Sequence, residues 1–185
     1  AAAVKVIDPG HPTVCVIAEL GPGEAHVRHL LKHCPSIDIY GLNAYDGADS
    51  IADRFAATGI DKPFLLTEYG PPLPQPHHNQ APTSPDKADI YRRIYERTIA
   101  DQPQCLGGYS FVWGAKLEGS DTHFGQFLAS GETLAGAQVF HQLFGGDAAE
   151  NLAPAASPLD FDPPSQAAVV GKPIAASWEV TDPES

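Results

Sequence analysis

One carboxylate in this chain stands where chemistry is commonly placed. Glu68 lies between Thr67 and Tyr69 at the end of the apolar run Phe64–Tyr69, and Gly70 turns the chain away directly after it. In parallel α/β folds, reactive groups sit where strands run out into the loops that follow them. A Glu at such a point also fits plain solvent exposure, so its neighbours matter. Asn43 and Tyr45 end one apolar run and Trp113 ends another. If those strands are adjacent and parallel, all three residues face the rim that carries Glu68. A carboxylate flanked by a hydroxyl donor and an aromatic platform suits sugar chemistry: the hydroxyl keeps a nucleophile ionised, and the ring covers the C–H face of a pyranose. Tyr69 is a further candidate contact, and so is Glu19, which closes an apolar run of its own. A strand-end Trp can equally be packing, Tyr45 can cap a loop, and Glu19 can be structural.

The elements that must position these residues follow from the hydrophobic pattern. Four short apolar runs are each followed by helical spacing, which predicts βα units and a parallel sheet. Thr13–Leu20 follows the turn Asp8-Pro9-Gly10-His11-Pro12 and precedes a helix over Glu24–His33. Ile37–Tyr45 precedes a helix over Asp49–Thr58 that Gly59 stops. Phe64–Tyr69 is entered through Lys62-Pro63, and a long loop then runs to Ser84-Pro85, a good helix start. Helical spacing continues from there to Asp101. Leu106–Trp113 is the fourth run, with a last helix near Leu134–Phe144 closed by Gly145-Gly146. The loops Pro71–Thr83, with His77, His78 and Asn79, and Ala115–His123 would form the walls of a cleft, or serve only as stiff Pro-rich spans, the reading slightly favoured.

Composition narrows the partners. The chain has 185 residues, and 11 Lys and Arg against 23 Asp and Glu leave a formal charge of −12. Such a field repels phosphate backbones and anionic lipid, so no nucleic acid partner is expected. No stretch approaches the roughly 18 apolar residues of a membrane span. Cys15, Cys34 and Cys105 are odd in number and widely spaced, which fits neither a disulfide framework nor a zinc site. His26, His29 and His33 share a helix face but have no carboxylate at ligand spacing, so a solvated face is expected and no metal or cofactor. Gly (17) and Pro (18) make up about a fifth of the chain, against an average of about 12%, which implies many turns. Met is absent and the chain opens on Ala1, Ala2 and Ala3, so it is expected to be a fragment of a longer polypeptide. A closed (β/α)8 barrel needs about 250 residues and cannot fit.

Several of these segments resemble one known family. Asp8-Pro9-Gly10-His11-Pro12, IDIYGLNAYDG, KPFLLTEYG, GGYSFVWG and GQFLASGETLAGAQVF are similar to the later half of the glycoside hydrolase family 2 barrel, in the β-galactosidase and β-glucuronidase superfamily. The resemblance covers residues 1–146, and its most specific part is the TEYG around Glu68. It implies an α/β fold that is the C-terminal half, strands five to eight, of a (β/α)8 TIM barrel. Beyond the resemblance the composition changes, so residues 147–165 read as a Pro- and Ala-rich linker and 166–185 as the first strands of a truncated Ig-like β-sandwich, with strands at Ala167–Val170 and Ile174–Val180. By the same resemblance Glu68 is the nucleophile and Tyr45 the tyrosine that hydrogen-bonds it, while Trp113 lines the sugar site and Asn43 matches the asparagine of the sixth-strand pattern. The family's general acid/base lies in an Asn-Glu pair on strand four, and no Asn-Glu occurs here. Glu19 would sit on strand five, two strands from Glu68, as a rim contact. Retention needs two carboxyls about 5–5.5 Å apart.

Two functions therefore stand side by side. One is a retaining glycoside hydrolase acting on β-linked sugars, incomplete without the upstream barrel half of the same polypeptide. The other is a carbohydrate-binding or scaffold module that keeps the barrel shell without turnover. An appended Ig-like start favours an extracellular or periplasmic setting.

Overall fold

The computed structural model describes residues 1–73, 81–164 and 167–182. They divide into two compact units, the first built from Ala1–Pro72 and Ile90–Val112, the second from Leu73–Asp89 and Trp113–Ser185.

The first unit is a four-stranded parallel sheet with helices against one face. Its strands β1 (Val14–Ala18), β2 (Ile39–Ala44), β3 (Phe64–Tyr69) and β4 (Cys105–Ser110) lie in sequence order. Helix α1 (Ala2–Ile7) precedes β1, α2 (Ala25–His33) joins β1 to β2, and α3 (Ile51–Ala57) joins β2 to β3. Helix α4 (Ser84–Ile94) contributes its later residues to this unit and continues as a single π turn, Tyr95–Ile99. The expected runs thus become strands, trimmed at their ends. The fourth begins one residue earlier and stops at Ser110, three residues short of Trp113.

The core lies between sheet and helices. Tyr40, Leu42 and Ala44 of β2 and Phe64, Leu66 and Tyr69 of β3 are buried together with Leu20, Val27, Ile51 and Phe55. Phe55 sits between two strand aromatics, 4.9 Å from Phe64 and 5.9 Å from Tyr40 by ring centroids. The opposite face is open: Val14, Val16, Leu106 and Tyr109 are exposed, the last at 66%. Gly41 keeps that face flat, because a Cβ there would meet Val16 Cγ2 at 2.8 Å and Thr67 Cγ2 at 3.0 Å.

The register of β3 carries one irregularity. Leu66 pairs with Leu42 and Glu68 with Asn43, so Thr67 is an extra residue in the ladder. The same offset recurs against β4, where Leu66 pairs with Gly108 and Tyr69 with Ser110. Strict alternation would send Glu68 to the helix side with Phe64 and Leu66. The inserted residue sends Thr67 and Glu68 both to the open side and returns Tyr69 to the core, which is how bulges re-aim side chains.

Helix α1 buries no residue and is tied down by charge. Lys5 Nζ lies 2.8 Å from Asp38 Oδ2, which also accepts from the Thr13 amide at 2.6 Å and the Thr13 hydroxyl at 2.9 Å. Lys5, followed by the Thr13 donors, holds the Asp38 carboxyl well below the usual carboxylate range. A depressed carboxylate stabilises the fold above its unfolded pKa, about 3.9, and that contribution fades as pH falls below it. Asp38→Asn is expected to lower the thermal midpoint at pH 7 and to flatten the loss of stability as pH falls below about 4. Melting curves across that range check both effects, and parallel wild-type and variant curves would refute the assignment.

The second unit holds the start of α4, helix α5 (Ala135–Leu143) and two small antiparallel pairs. The N-terminus of α4 is capped by Thr83, not Ser84: the Asp86 amide donates to the Thr83 hydroxyl at 3.4 Å and the Thr83 amide to Asp86 Oδ2 at 2.9 Å, while the Ser84 hydroxyl accepts from the Ala135 amide at 3.2 Å. Gly145, at φ +89°, ends the α5 segment, a conformation that favours glycine. Two strands fall within the segment expected as a linker and pair with the segment after it: β5 (Ala155–Ala156) with β8 (Val180–Thr181), and β6 (Asp160–Asp162) with β7 (Ala175–Ser177). Residues 167–170, expected as a strand, form turns closed by the Ala167 amide on Pro164 and the Lys172 amide on Val169. Val169 and Val170 are exposed and Gly171 reverses the chain at φ +80°, so this stretch forms no ladder. Among the described residues, no helix is long and apolar enough to cross a membrane.

Candidate functional site

The C-terminal ends of β2 and β3 bring four side chains into one polar cluster. Tyr45, the first residue after β2, donates its hydroxyl to Glu68 Oε2 at 2.7 Å. Thr67 donates its hydroxyl to Asn43 Oδ1 at 2.6 Å. Asn43 and Glu68 are direct register partners, so the two hydrogen bonds stand side by side across the β2–β3 seam. Both Thr67 and Glu68 are half-buried, which leaves them reachable from the open face. One carboxylate oxygen of Glu68 is oriented by Tyr45, and the arrangement can present the other to an electrophilic carbon.

An aromatic that the sequence reading passed over completes this seam. Phe111 meets the Tyr45 ring edge-on, with centroids 6.3 Å apart and planes at 87°, and its amide donates to the Tyr69 carbonyl at 2.8 Å. Phe111 follows Ser110 directly, so it stands closer to the strand end than Trp113 does. The signal that could have found it is the pair Gly107-Gly108. These glycines absorb an extra residue in β4, where Phe64 pairs with Cys105 but Leu66 with Gly108, and Phe111 follows the strand end beside Tyr45.

The remaining candidates make contacts of their own. Tyr69, expected as a substrate contact, is 2% exposed and packs edge-on against Tyr91 at 6.0 Å. Burial pushes its hydroxyl pKa well up, and it belongs to the core under the helices. Trp113 belongs to the second unit, where its ring lies 4.9 Å from Phe127. There it lines a groove of about 700 Å³ with Phe127, Phe140, His141 and Phe144. His77, His78 and Asn79 lie outside the described residues. In the Ala115–His123 loop, Lys116 and Glu118 form an ion pair at 2.7 Å.

Glu19 is engaged by its own turn. Arg54 of α3 forms an ion pair with Glu19 Oε1, and the Gly21 amide donates to Glu19 Oε2 at 2.8 Å. The same guanidinium reaches Glu24 Oε1 at 3.1 Å and the Gly21 carbonyl at 3.3 Å. Glu19 itself sits in the left-handed region at φ +60°, a conformation this clamp holds. Arg54 was another residue the sequence pattern could not single out, because its partners are 30 or more positions away.

No group of three or more His, Cys, Asp or Glu among the described residues is placed to hold a metal ion. The rings of His29 and His33 lie 4.4 Å apart, tilted by 35°, on the exposed side of α2.

Tyr45→Phe removes the hydrogen bond to Glu68 while keeping the ring against Phe111. A hydrogen bond to a charged group contributes about 1.5–3 kcal/mol. If Glu68 reacts as a carboxylate, kcat is expected to fall roughly 10- to 100-fold, with KM changed far less. Steady-state kinetics on the two proteins measure the split, and an unchanged kcat would remove Tyr45 from the site.

No protein-family model matches the chain, and no curated protein sequence is significantly similar to it. Solved structures are similar in fold. A Ruminococcus gnavus beta-glucuronidase aligns with a TM-score of 0.55 at 18% identity, over 79% of this chain and 28% of that one. The b-glucuronidase from Ruminococcus gnavus in complex with D-glucuronic acid aligns at 0.54 and 18%, over 77% and 28%. A calcium binding mutant of Bacteroides uniformis beta-glucuronidase 2 aligns at 0.52 and 14%, over 98% of this chain and 29% of that one. The chain therefore has a fold found in glycoside hydrolases and spans less than a third of the length of these structures.

Proposed function

We propose that this chain is the nucleophile-bearing part of a retaining glycoside hydrolase acting on β-linked sugars, related to glycoside hydrolase family 2. The observation that carries the reading is the Tyr45 hydroxyl on Glu68 Oε2 at 2.7 Å, with Glu68 turned to the open face by the extra residue Thr67. In the reaction, a Glu68 oxygen attacks the anomeric carbon as the bond to the leaving oxygen breaks. A general acid protonates that oxygen, and water then hydrolyses the glycosyl ester. Tyr45 orients the carboxylate for the attack.

The general acid/base would come from residues outside this chain. Glu19 is a poor choice for it, since its carboxylate is held by Arg54 and the Gly21 amide. The four parallel strands would be strands five to eight of a (β/α)8 barrel, and the exposed Val14, Val16, Leu106 and Tyr109 would face its interior. The short strand pairs after α5 would begin a sandwich domain. The beta-glucuronidase neighbours make a β-D-glucuronide the first substrate to try, with galactoside and glucoside beside it.

The test is covalent trapping. The full-length protein is screened on 4-nitrophenyl β-D-glycosides, then incubated with the 2-deoxy-2-fluoro glycosyl fluoride of the best substrate, digested and sequenced by mass spectrometry. A glycosyl label on Glu68 is expected. A label on Glu19 or elsewhere would move the nucleophile, and tight sugar binding without turnover or label would make the protein a binding module.

A further inference from the structure

Asn43 stands beside Glu68 with its amide oxygen already occupied. Thr67 is the extra residue that turns Glu68 outward, and its hydroxyl donates to Asn43 Oδ1 at 2.6 Å. With the Thr67 hydroxyl donating to Oδ1, the planar amide presents its nitrogen on the side away from that bond. The –NH2 end is thereby left for an acceptor. Asn43 is held from the other side as well, since its backbone carbonyl accepts from the Glu19 amide at 3.0 Å. The Thr67 methyl lies over Gly41, 3.0 Å from where a Cβ would stand, so the glycine leaves room for it.

We infer that Thr67 is a positioning residue that sets Asn43 as a hydrogen-bond donor beside Glu68, so that the site recognises a sugar oxygen with a free lone pair next to the bond being broken. The inference deepens the glycosidase reading and rests on it for the identity of the ligand. A single residue thus performs two tasks through one backbone irregularity. Its insertion turns Glu68 to the open face, and its hydroxyl orients the amide next to it. The chemistry selects a hydroxyl or carboxylate oxygen on the ring as partner, because an amide –NH2 offers two donors and no acceptor. An analogue with hydrogen in place of that oxygen would leave the donor unpaired and bind less well.

The experiment uses the full-length protein with Thr67→Val, which keeps the shape and deletes the donor, and Thr67→Ser, which keeps the donor and deletes the methyl. Each is made alone and with Asn43→Ala, and Glu68→Gln is assayed alongside. On the best 4-nitrophenyl β-D-glycoside, Thr67→Val is expected to lower kcat/KM roughly five- to tenfold, the scale of one hydrogen bond, and Thr67→Ser to stay within about twofold of wild type. In the Asn43→Ala background Thr67→Val should change kcat/KM by less than about twofold, because the two act as one unit. A Thr67→Val effect that persists undiminished without Asn43, or a Thr67→Ser effect as large as that of Thr67→Val, would overturn the inference. A second readout does not depend on turnover. The side-chain amide resonances of Asn43 in nitrogen-15 spectra should move in Thr67→Val and return in Thr67→Ser, and unmoved resonances would also overturn it. If Glu68→Gln retained turnover, the nucleophile reading would fail, while the amide resonances would still decide whether Thr67 holds Asn43.

Discussion

Full-length protein carrying Glu68→Gln is expected to hydrolyse aryl β-D-glycosides roughly 10⁴- to 10⁶-fold more slowly than wild type, the scale seen when a hydrolase loses its nucleophile. The amide keeps the volume of the side chain and can still accept from the Tyr45 hydroxyl, which in the wild type lies 2.7 Å from Oε2. What it lacks is the charge that attacks the anomeric carbon. Sugar binding should therefore survive, so the variant is expected to titrate a competitive inhibitor with a Kd within a few-fold of wild type. That pairing separates a lost nucleophile from a disturbed pocket. If kcat falls less than tenfold, Glu68 is a rim residue. If binding collapses together with turnover, the loss belongs to the site as a whole and not to the nucleophile.

The largest effect on stability is expected at Phe55, which is fully buried between the sheet and its helices, within 5.9 Å of Tyr40 and 4.9 Å of Phe64 by ring centroids. Truncation to Ala removes the transfer free energy of the ring and leaves a void between rigid strands, at a loss of about 3–5 kcal/mol. Phe55→Leu fills most of that space and should lose less than about 1.5 kcal/mol. Denaturant titrations followed by circular dichroism give both values. A loss under about 1 kcal/mol for Phe55→Ala would mean that the helix layer does not pack as described. The prediction bears on function, because the same layer holds Tyr40 and Leu42 of β2 and Phe64 and Leu66 of β3. The register between those strands aims Glu68.

The parallel sheet, the helices between its strands and the helix stops at Gly59 and Gly145 were legible in the sequence, because apolar period and glycine conformation are local properties that act within a few residues. The identity of Glu68, Asn43 and Tyr45 as neighbours was legible for the same reason: each stands at the end of a readable run. Strand ends were less so, and the fourth run stops three residues before Trp113 because ladder pairing with β3 gives out at Ser110. Trp113 accordingly belongs to the second unit, and the aromatic at the β2–β3 seam is Phe111.

Side-chain direction is where the sequence reading had to stop. FLLTEY by strict alternation puts Glu68 on the same side as Phe64 and Leu66, and nothing in those six letters marks Thr67 as an extra residue. The insertion exists because β3 must match β2 on one side and β4 on the other while keeping Tyr69 in the core. Glu19 tells the same story from the opposite direction. It ends an apolar run as Glu68 does, yet Arg54, 35 positions further along, draws its carboxylate into a turn. Composition and period decide which segments become strands and which residues end them. Which way an end residue points is decided by pairing partners and charges far away in the chain, and those meet only once the sheet is assembled.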